Sequence, residues 1–207
     1  MEDILEVYQR PYDPRFPVLC VDEHPYQLVQ GLAQELAMKA GRVATQDYQY
    51  KRRGTCYVLA AVEPRGGRRQ VEVHRHRGKR EYASFMRRLA ARYTEAERII
   101  LIQDNLNTHG PGAFYEFLPA DEARALVKRF ELHFTPKKAS WLNMVEIEFS
   151  VLSKQCISRR IASMSELRTQ VAAWAKRRNR ERARLTWRFT TERARGKLQR
   201  HYEAVLN

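Results

Sequence analysis

Short apolar runs separated by turn residues make up the first part of the chain. Segments 17–23, 55–63 and 70–74 are rich in apolar and β-branched residues or alternate between apolar and polar positions, which predicts three strands. Between the second and third segments, residues 64–69 (PRGGRR) predict a tight turn. These strands should therefore form an antiparallel meander.

Helix and strand patterns then alternate. Residues 79–93 repeat apolar positions at helical spacing. Residues 98–102 (RIILI) form an apolar run that begins after Arg98, which is typical of a fully buried strand. A helix is predicted at 114–129, a short strand at 131–134 and another helix at 140–155. Because parallel strands need crossovers, the order βββαβαβα predicts an α/β fold with a mixed five-stranded sheet flanked by helices. This is the ribonuclease H-like order.

Two further helices are predicted after this unit, at 163–182 and 190–205. Ser163 and Glu166 have the spacing of a capping box at the start of the first one. We therefore divide the chain into an α/β domain at 1–158 and a basic helical C-terminal extension at 159–207.

Positive charge is concentrated in the C-terminal quarter of the chain. Residues 151–207 contain 15 Lys and Arg against 4 Glu, a net +11 of the total +14. Such a surplus attracts polyanions, so nucleic acid is the expected partner. The alternative is an anionic membrane, but no apolar run approaches the roughly 18 residues of a spanning helix. The acidic start (Met1-Glu2-Asp3) does not resemble a signal peptide, so we expect a cytoplasmic protein.

The three cysteines have no CxxC spacing, which favours reduced thiols over a disulfide framework or a zinc site. No organic cofactor is expected.

Two aspartates follow predicted strands that should be neighbours in the sheet. Asp22 ends the first strand, and Asp104 follows the most apolar one. Either one alone could cap a turn or pair with an arginine, but together they favour a divalent cation that offsets the cost of burying charge. A third acid on the following helix, Glu146 or Glu148, could complete the ligands. Periodicity does not choose between them, and either could be a solvent-exposed helix glutamate.

A polar cluster, residues 105–109 (NLNTH), lies beside Asp104. It is typical of a turn in which Asn and Thr bind the backbone. The alternative interpretation places His109 near a metal ion or the scissile phosphate.

Three ordered blocks resemble the signatures of the DDE transposases of bacterial insertion sequences, in the branch related to the mariner elements. The blocks are residues 19–23 (LCVDE), 104–109 (DNLNTH) and 133–146 (HFTPKKASWLNMVE), with supporting patches at 48–55 and 187–191. The resemblance implies a catalytic and metal-binding triad of Asp22, Asp104 and Glu146. Glu23 and Glu148 would then be neighbours rather than ligands, and the site-supporting residues would be Asn105, His109 and Asn143.

The resemblance also implies the activity. Two Mg²⁺ or Mn²⁺ ions, roughly 4 Å apart, would serve an endonuclease that cuts DNA and transfers strands during DNA transposition and recombination. The expected partners are the DNA of the element ends and target, bound by a homodimer in a synaptic complex at the nucleoid. Family members usually carry helix-turn-helix modules before the first aspartate, whereas 21 residues precede Asp22 here, so we expect this region to be lacking.

Lysines and arginines of the last block and of the extension are the candidate DNA contacts. They are Lys137, Lys138, Lys176, Arg177, Arg178 and Arg180. A charge run on a helix is more often a solvated face, but here the excess has one sign, which favours contacts to the DNA backbone. Two alternative functions remain: a non-catalytic nucleic-acid-binding remnant, and a stand-alone ribonuclease H-like nuclease or resolvase.

Overall fold

A computed structural model describes residues 1–32, 49–106 and 108–199. Its five-stranded sheet has the order β3-β2-β1-β4-β5, with both β1–β2 and β2–β3 antiparallel and both β1–β4 and β4–β5 parallel. The strands are β1 (Val18–Gly31), β2 (Tyr50–Glu63), β3 (Arg68–His74), β4 (Ile99–Gln103) and β5 (Phe130–Phe134). The predicted ribonuclease H-like sheet is confirmed.

Helices flank this sheet on both faces. They are α1 (Glu2–Gln9), α2 (Lys79–Ala91), α3 (Pro111–Phe117), α4 (Ala120–Arg129), α5 (Val145–Gln155), α6 (Met164–Arg180) and α7 (Thr191–Lys197), with a 3₁₀ turn at Ser140–Leu142. The sequence pattern did not predict α1. None of the described helices is long and apolar enough to cross a membrane.

Two predicted helices differ from the structure. The helix expected at 114–129 is divided into α3 and α4, because Leu118 is extended, as the residue before a proline usually is. The helix expected from residue 140 starts with a 3₁₀ turn, and α5 begins only at Val145 because Asn143 is extended. Tyr48, Asn107 and residues 200–205 of the predicted last helix lie outside the described residues.

The sheet separates two apolar cores. Cys20, Ile100 and Ile102 face α1, α5 and α6, whereas Leu19 and Leu101 face α2, α3 and α4. Successive residues of a strand point to opposite faces. This alternation puts residue 22 on the α5 face and residue 23 on the α2 face.

The first helix of the extension shares the core of the α/β domain. Leu167, Val171 and Trp174 of α6 are buried in the same cluster as Phe149 of α5. Ser163 caps α6 as predicted, because its hydroxyl accepts a hydrogen bond from the Glu166 N–H at 3.2 Å. The division at 158/159 stays a prediction, and the hydrophobic core extends across it.

Candidate active site

The fold brings the three predicted acids to one region of the sheet. Parallel β1 and β4 pair Cys20 with Ile102, so Asp22 and Asp104 come two residues later at the same level. Glu146 lies in the first turn of α5, which packs against β1 and β2. The Asn143 side-chain amide donates to the Val21 carbonyl at 2.9 Å and thereby fixes the start of α5 beside Asp22.

The electrostatics of Asp22 reflect the acids around it. Burial raises its pKa to about 7; a hydrogen bond from the Glu23 N–H opposes this rise, and the carboxylates of Asp104, Glu146 and Glu23 add to it. The charged groups acting on Asp22 are thus carboxylates. Within the described ranges, no Lys or Arg forms an ion pair with Asp22, Asp104 or Glu146.

Carboxylate oxygens are the ligands that Mg²⁺ and Mn²⁺ prefer, so the donor chemistry of this cluster fits a divalent cation. Among residues 1–32, 49–106 and 108–199, no group of three His, Cys, Asp or Glu side chains is arranged to hold a single ion. The three acids therefore share a region, and Asp104 and Glu146 act on Asp22, without forming a closed ligand cage.

His109 joins two of the nearby acids. Its Nδ1 contacts Asp104 Oδ1, and its Nε2 lies 2.7 Å from Glu23 Oε2. Burial acts to lower the His109 pKa, but the hydrogen bonds to Asp104 and Glu23 outweigh burial and raise it to about 9. Both ring nitrogens face carboxylate oxygens, which is the contact pattern of an imidazole that donates from both nitrogens. Asn105, the remaining candidate supporting residue, is exposed beside Asp104.

Glu148 lies two residues after Glu146 on α5 but has a different environment. Its buried carboxylate accepts hydrogen bonds from Arg178 at 2.6 and 3.1 Å and pairs with Arg69 Nε at 2.9 Å. Asn179 adds to this network by binding both the N–H and the carbonyl of Arg69. Glu148 therefore links α5 to β3 and α6 and has a structural role.

This network changes the interpretation of Arg178. Its side chain is 11% exposed, pairs with Glu148 and lies over the Trp174 ring, so it does not offer its charge to an external phosphate. We therefore remove Arg178 from the candidate DNA contacts. The other candidates, Lys137, Lys138, Lys176, Arg177 and Arg180, are exposed.

Sequence reasoning missed four residues around the acids. Gln103 is a polar residue at the end of an apolar run, a signal of a buried hydrogen-bond role, and its side chain binds Tyr82 and His109. Tyr82 was placed on an apolar helix face without a partner for its hydroxyl. Glu23 was named only as a neighbour. Arg69 gave no signal, because nothing in its local sequence separates it from exposed Arg68.

Comparison with known proteins identifies the fold. The chain is similar to the crystal structure of the Mos1 mariner paired end complex with Mn (15% identity, TM-score 0.56), covering 98% of this chain and 58% of that one. It also resembles the Mos1 transposase paired-end complex with left transposon end (14%, TM-score 0.55, 88% and 57% covered). A third match is the pre-cleavage Mos1 transpososome (14%, TM-score 0.51, 88% and 59% covered). These similarities show a shared fold, and the chain spans less than two thirds of those chains.

A family comparison goes further. No curated protein matches the sequence. Residues 17–168, however, match the model of the DDE superfamily endonucleases, and this range includes Asp22, Asp104 and Glu146. Because the match extends over more than half of the sequence, the chain belongs to the DDE superfamily endonuclease family.

Proposed function

We propose that the chain is the catalytic domain of a DDE transposase of an insertion sequence, which cleaves DNA and transfers strands during transposition. The observation that carries this proposal is geometric, within a chain of the DDE endonuclease family. Asp22 and Asp104 lie at the same level of two paired strands, and the Asn143–Val21 hydrogen bond holds the start of α5, with Glu146, beside them. Clustered like charges are costly for folding and favour a function that uses them.

In this proposal, Asp22, Asp104 and Glu146 hold two Mg²⁺ or Mn²⁺ ions. When bound, such ions activate an attacking water or 3′-hydroxyl and stabilise the leaving oxygen of a phosphodiester. The chain's own contribution is positioning: Asn143 fixes the start of α5 through Val21, and His109 restrains Asp104. Exposed lysines and arginines of the 137–138 turn and of α6 bind the DNA backbone.

The expected partners follow from the same reasoning. The similar Mos1 structures are paired-end complexes, which supports element-end DNA as the partner and a homodimer as the assembly. We place the protein in the cytoplasm with the nucleoid, where its DNA is found.

The test is strand cleavage of end-labelled DNA by the purified chain, with Mg²⁺, with Mn²⁺ and with EDTA. We expect cleavage with either ion and none with EDTA. A second assay supplies a pre-cut end bearing a 3′-hydroxyl together with plasmid target. Products in which the pre-cut end is joined to the plasmid support a transposase. Cleavage without joining contradicts strand transfer and supports the alternative of a stand-alone nuclease. DNA binding without metal-dependent cleavage contradicts the enzyme altogether.

A further inference from the structure

The strongest feature beyond the triad is the imidazole of His109, which lies between two carboxylates. Nδ1 contacts Asp104 Oδ1, and Nε2 lies 2.7 Å from Glu23 Oε2. The His109 side chain is 2% exposed and that of Glu23 is 7% exposed, whereas Asp104 is 28% exposed. The bridge therefore runs from a buried acid to an accessible one.

Neighbouring groups hold the ring in place. The Tyr82 ring stacks on the imidazole with centroids 4.9 Å apart, and the Tyr82 hydroxyl donates to Gln103 Oε1 at 2.7 Å. Gln103 Nε2 in turn donates to the His109 carbonyl at 3.0 Å. With its backbone, one ring face and both ring nitrogens engaged, His109 has little freedom to turn.

The His109 bridge restrains the side chain of Asp104. Strand alternation puts Glu23 on the α2 face of the sheet and Asp22 on the α5 face, so the buried Glu23 carboxylate anchors His109 from the opposite face. The bridge engages Oδ1 of Asp104. Within the described residues, Oδ2 has no hydrogen bond or ion pair, which leaves it as the oxygen available to a cation.

We propose that His109 is a positioning residue that ties Asp104 to Glu23 and so sets which Asp104 oxygen is offered to a divalent cation. The inference rests on the proposed function, because it assigns a ligand role to Asp104. Partners that orient a metal ligand typically contribute 10- to 100-fold in metal affinity.

The chain contains a matched control. His133 also lies between two carboxylates, with Nδ1 2.8 Å from Asp3 Oδ2 and Nε2 3.0 Å from Glu131 Oε1, and its side chain is 10% exposed. It contacts none of the three triad acids in the described structure. Glutamine at either position keeps a single donor nitrogen, and its amide oxygen accepts and does not bind a carboxylate, so it cannot join both acids. His109→Gln and His133→Gln therefore remove the same kind of bridge.

The experiment measures Mn²⁺ affinity of the full chain by electron paramagnetic resonance of free Mn²⁺, alongside thermal unfolding. We expect His109→Gln to bind Mn²⁺ about tenfold or more weakly, whereas His133→Gln binds like the wild type. Equal affinity in His109→Gln and the wild type would overturn the inference, as would an equal loss in both variants. A wild type that binds no Mn²⁺ would overturn the proposed function itself.

A second pair of variants covers the case in which His109→Gln fails to fold. Glu23→Gln keeps an oxygen that accepts from Nε2, whereas Glu23→Ala removes the anchor and leaves His109 and Asp104 in place. We expect Glu23→Ala to lose Mn²⁺ affinity severalfold and Glu23→Gln to retain most of it. Unchanged affinity in Glu23→Ala would contradict the positioning role.

Discussion

Glu146 and Glu148 lie in the same turn of α5, two residues apart, and have opposite environments. Glu148 is buried and binds two guanidinium groups, whereas Glu146 is partly exposed and acts on the carboxylate of Asp22. In a chain with net charge +14, arginines are plentiful, yet they engage the structural glutamate. The difference distinguishes two roles. Glu148, buried against Arg69 and Arg178, stabilises the fold, whereas Glu146, which lies near other acids, is the residue proposed for the chemistry.

The largest effect is expected when Glu146, the proposed metal ligand, is neutralised. In Glu146→Gln we expect metal-dependent DNA cleavage to fall by about a thousandfold or more, because a proposed ligand loses its charge. Stability should stay within about 0.5 kcal/mol, since Glu146 makes no described ion pair. Cleavage of labelled DNA and urea unfolding measure the two effects. Normal cleavage by this variant would contradict the triad.

The complementary change is Glu148→Ala. It leaves the Arg69 and Arg178 guanidiniums without their carboxylate in a buried site, and we expect it to cost about 3–5 kcal/mol of unfolding free energy. The matched control is Glu116→Ala, which breaks the exposed 2.6 Å pair with Lys79 and should cost at most about 1 kcal/mol. Urea unfolding measures the free energy of unfolding of both variants. Equal losses in the two variants would refute the structural role of Glu148.

The sequence predicted much of this site, and the reasons for its failures are physical. The order of elements and the pairing of the Asp22 and Asp104 strands followed from the apolar runs. The end of the first strand did not, because β1 continues to Gly31 and Asp22 lies within it rather than at its end. The choice of Glu146 came from family resemblance, because periodicity places Glu148 nearer the centre of the apolar stripe and Glu146 nearer its edge without showing which one binds a metal. The Glu148 network joins residues about 30 and 80 positions apart, and such pairing has no local signature. For the same reason Arg178, alike in sequence to Arg177, was predicted to contact DNA.

A smaller effect concerns DNA binding. Replacing Lys176, Arg177 and Arg180 with Ala should reduce the slope of log affinity against log salt by about two to three, because each phosphate contact contributes about 0.9. The control replaces exposed cations of the other sheet face, Arg87, Arg124 and Lys128, and should leave the slope near the wild-type value. Fluorescence anisotropy across a salt series makes the measurement. An equal change in both triple variants would contradict a localised contact on α6.

The smallest expected effect concerns Glu72, an acid that pairs with His74 and Arg88 outside the candidate active site. Burial acts to raise the pKa of Glu72, but hydrogen bonds from His74 and Arg88 outweigh it and lower the pKa to about 2. Its stabilisation should therefore be present above about pH 4 and be lost as the pH falls toward 2. Because these groups are partly solvated, we expect Glu72→Gln to cost about 1 kcal/mol at pH 7. The unfolding free energies of the wild type and of Glu72→Gln should converge as the pH falls from 7 to 2. A difference that stays constant with pH would contradict the lowered pKa of Glu72.

The most direct test of the account is anomalous diffraction from crystals of the chain soaked in Mn²⁺. The account predicts Mn²⁺ peaks in contact with carboxylate oxygens of Asp22, Asp104 and Glu146, and no peak at Glu148. Peaks elsewhere with these three acids unliganded, or a lysine or arginine neutralising them in the crystal, would contradict it.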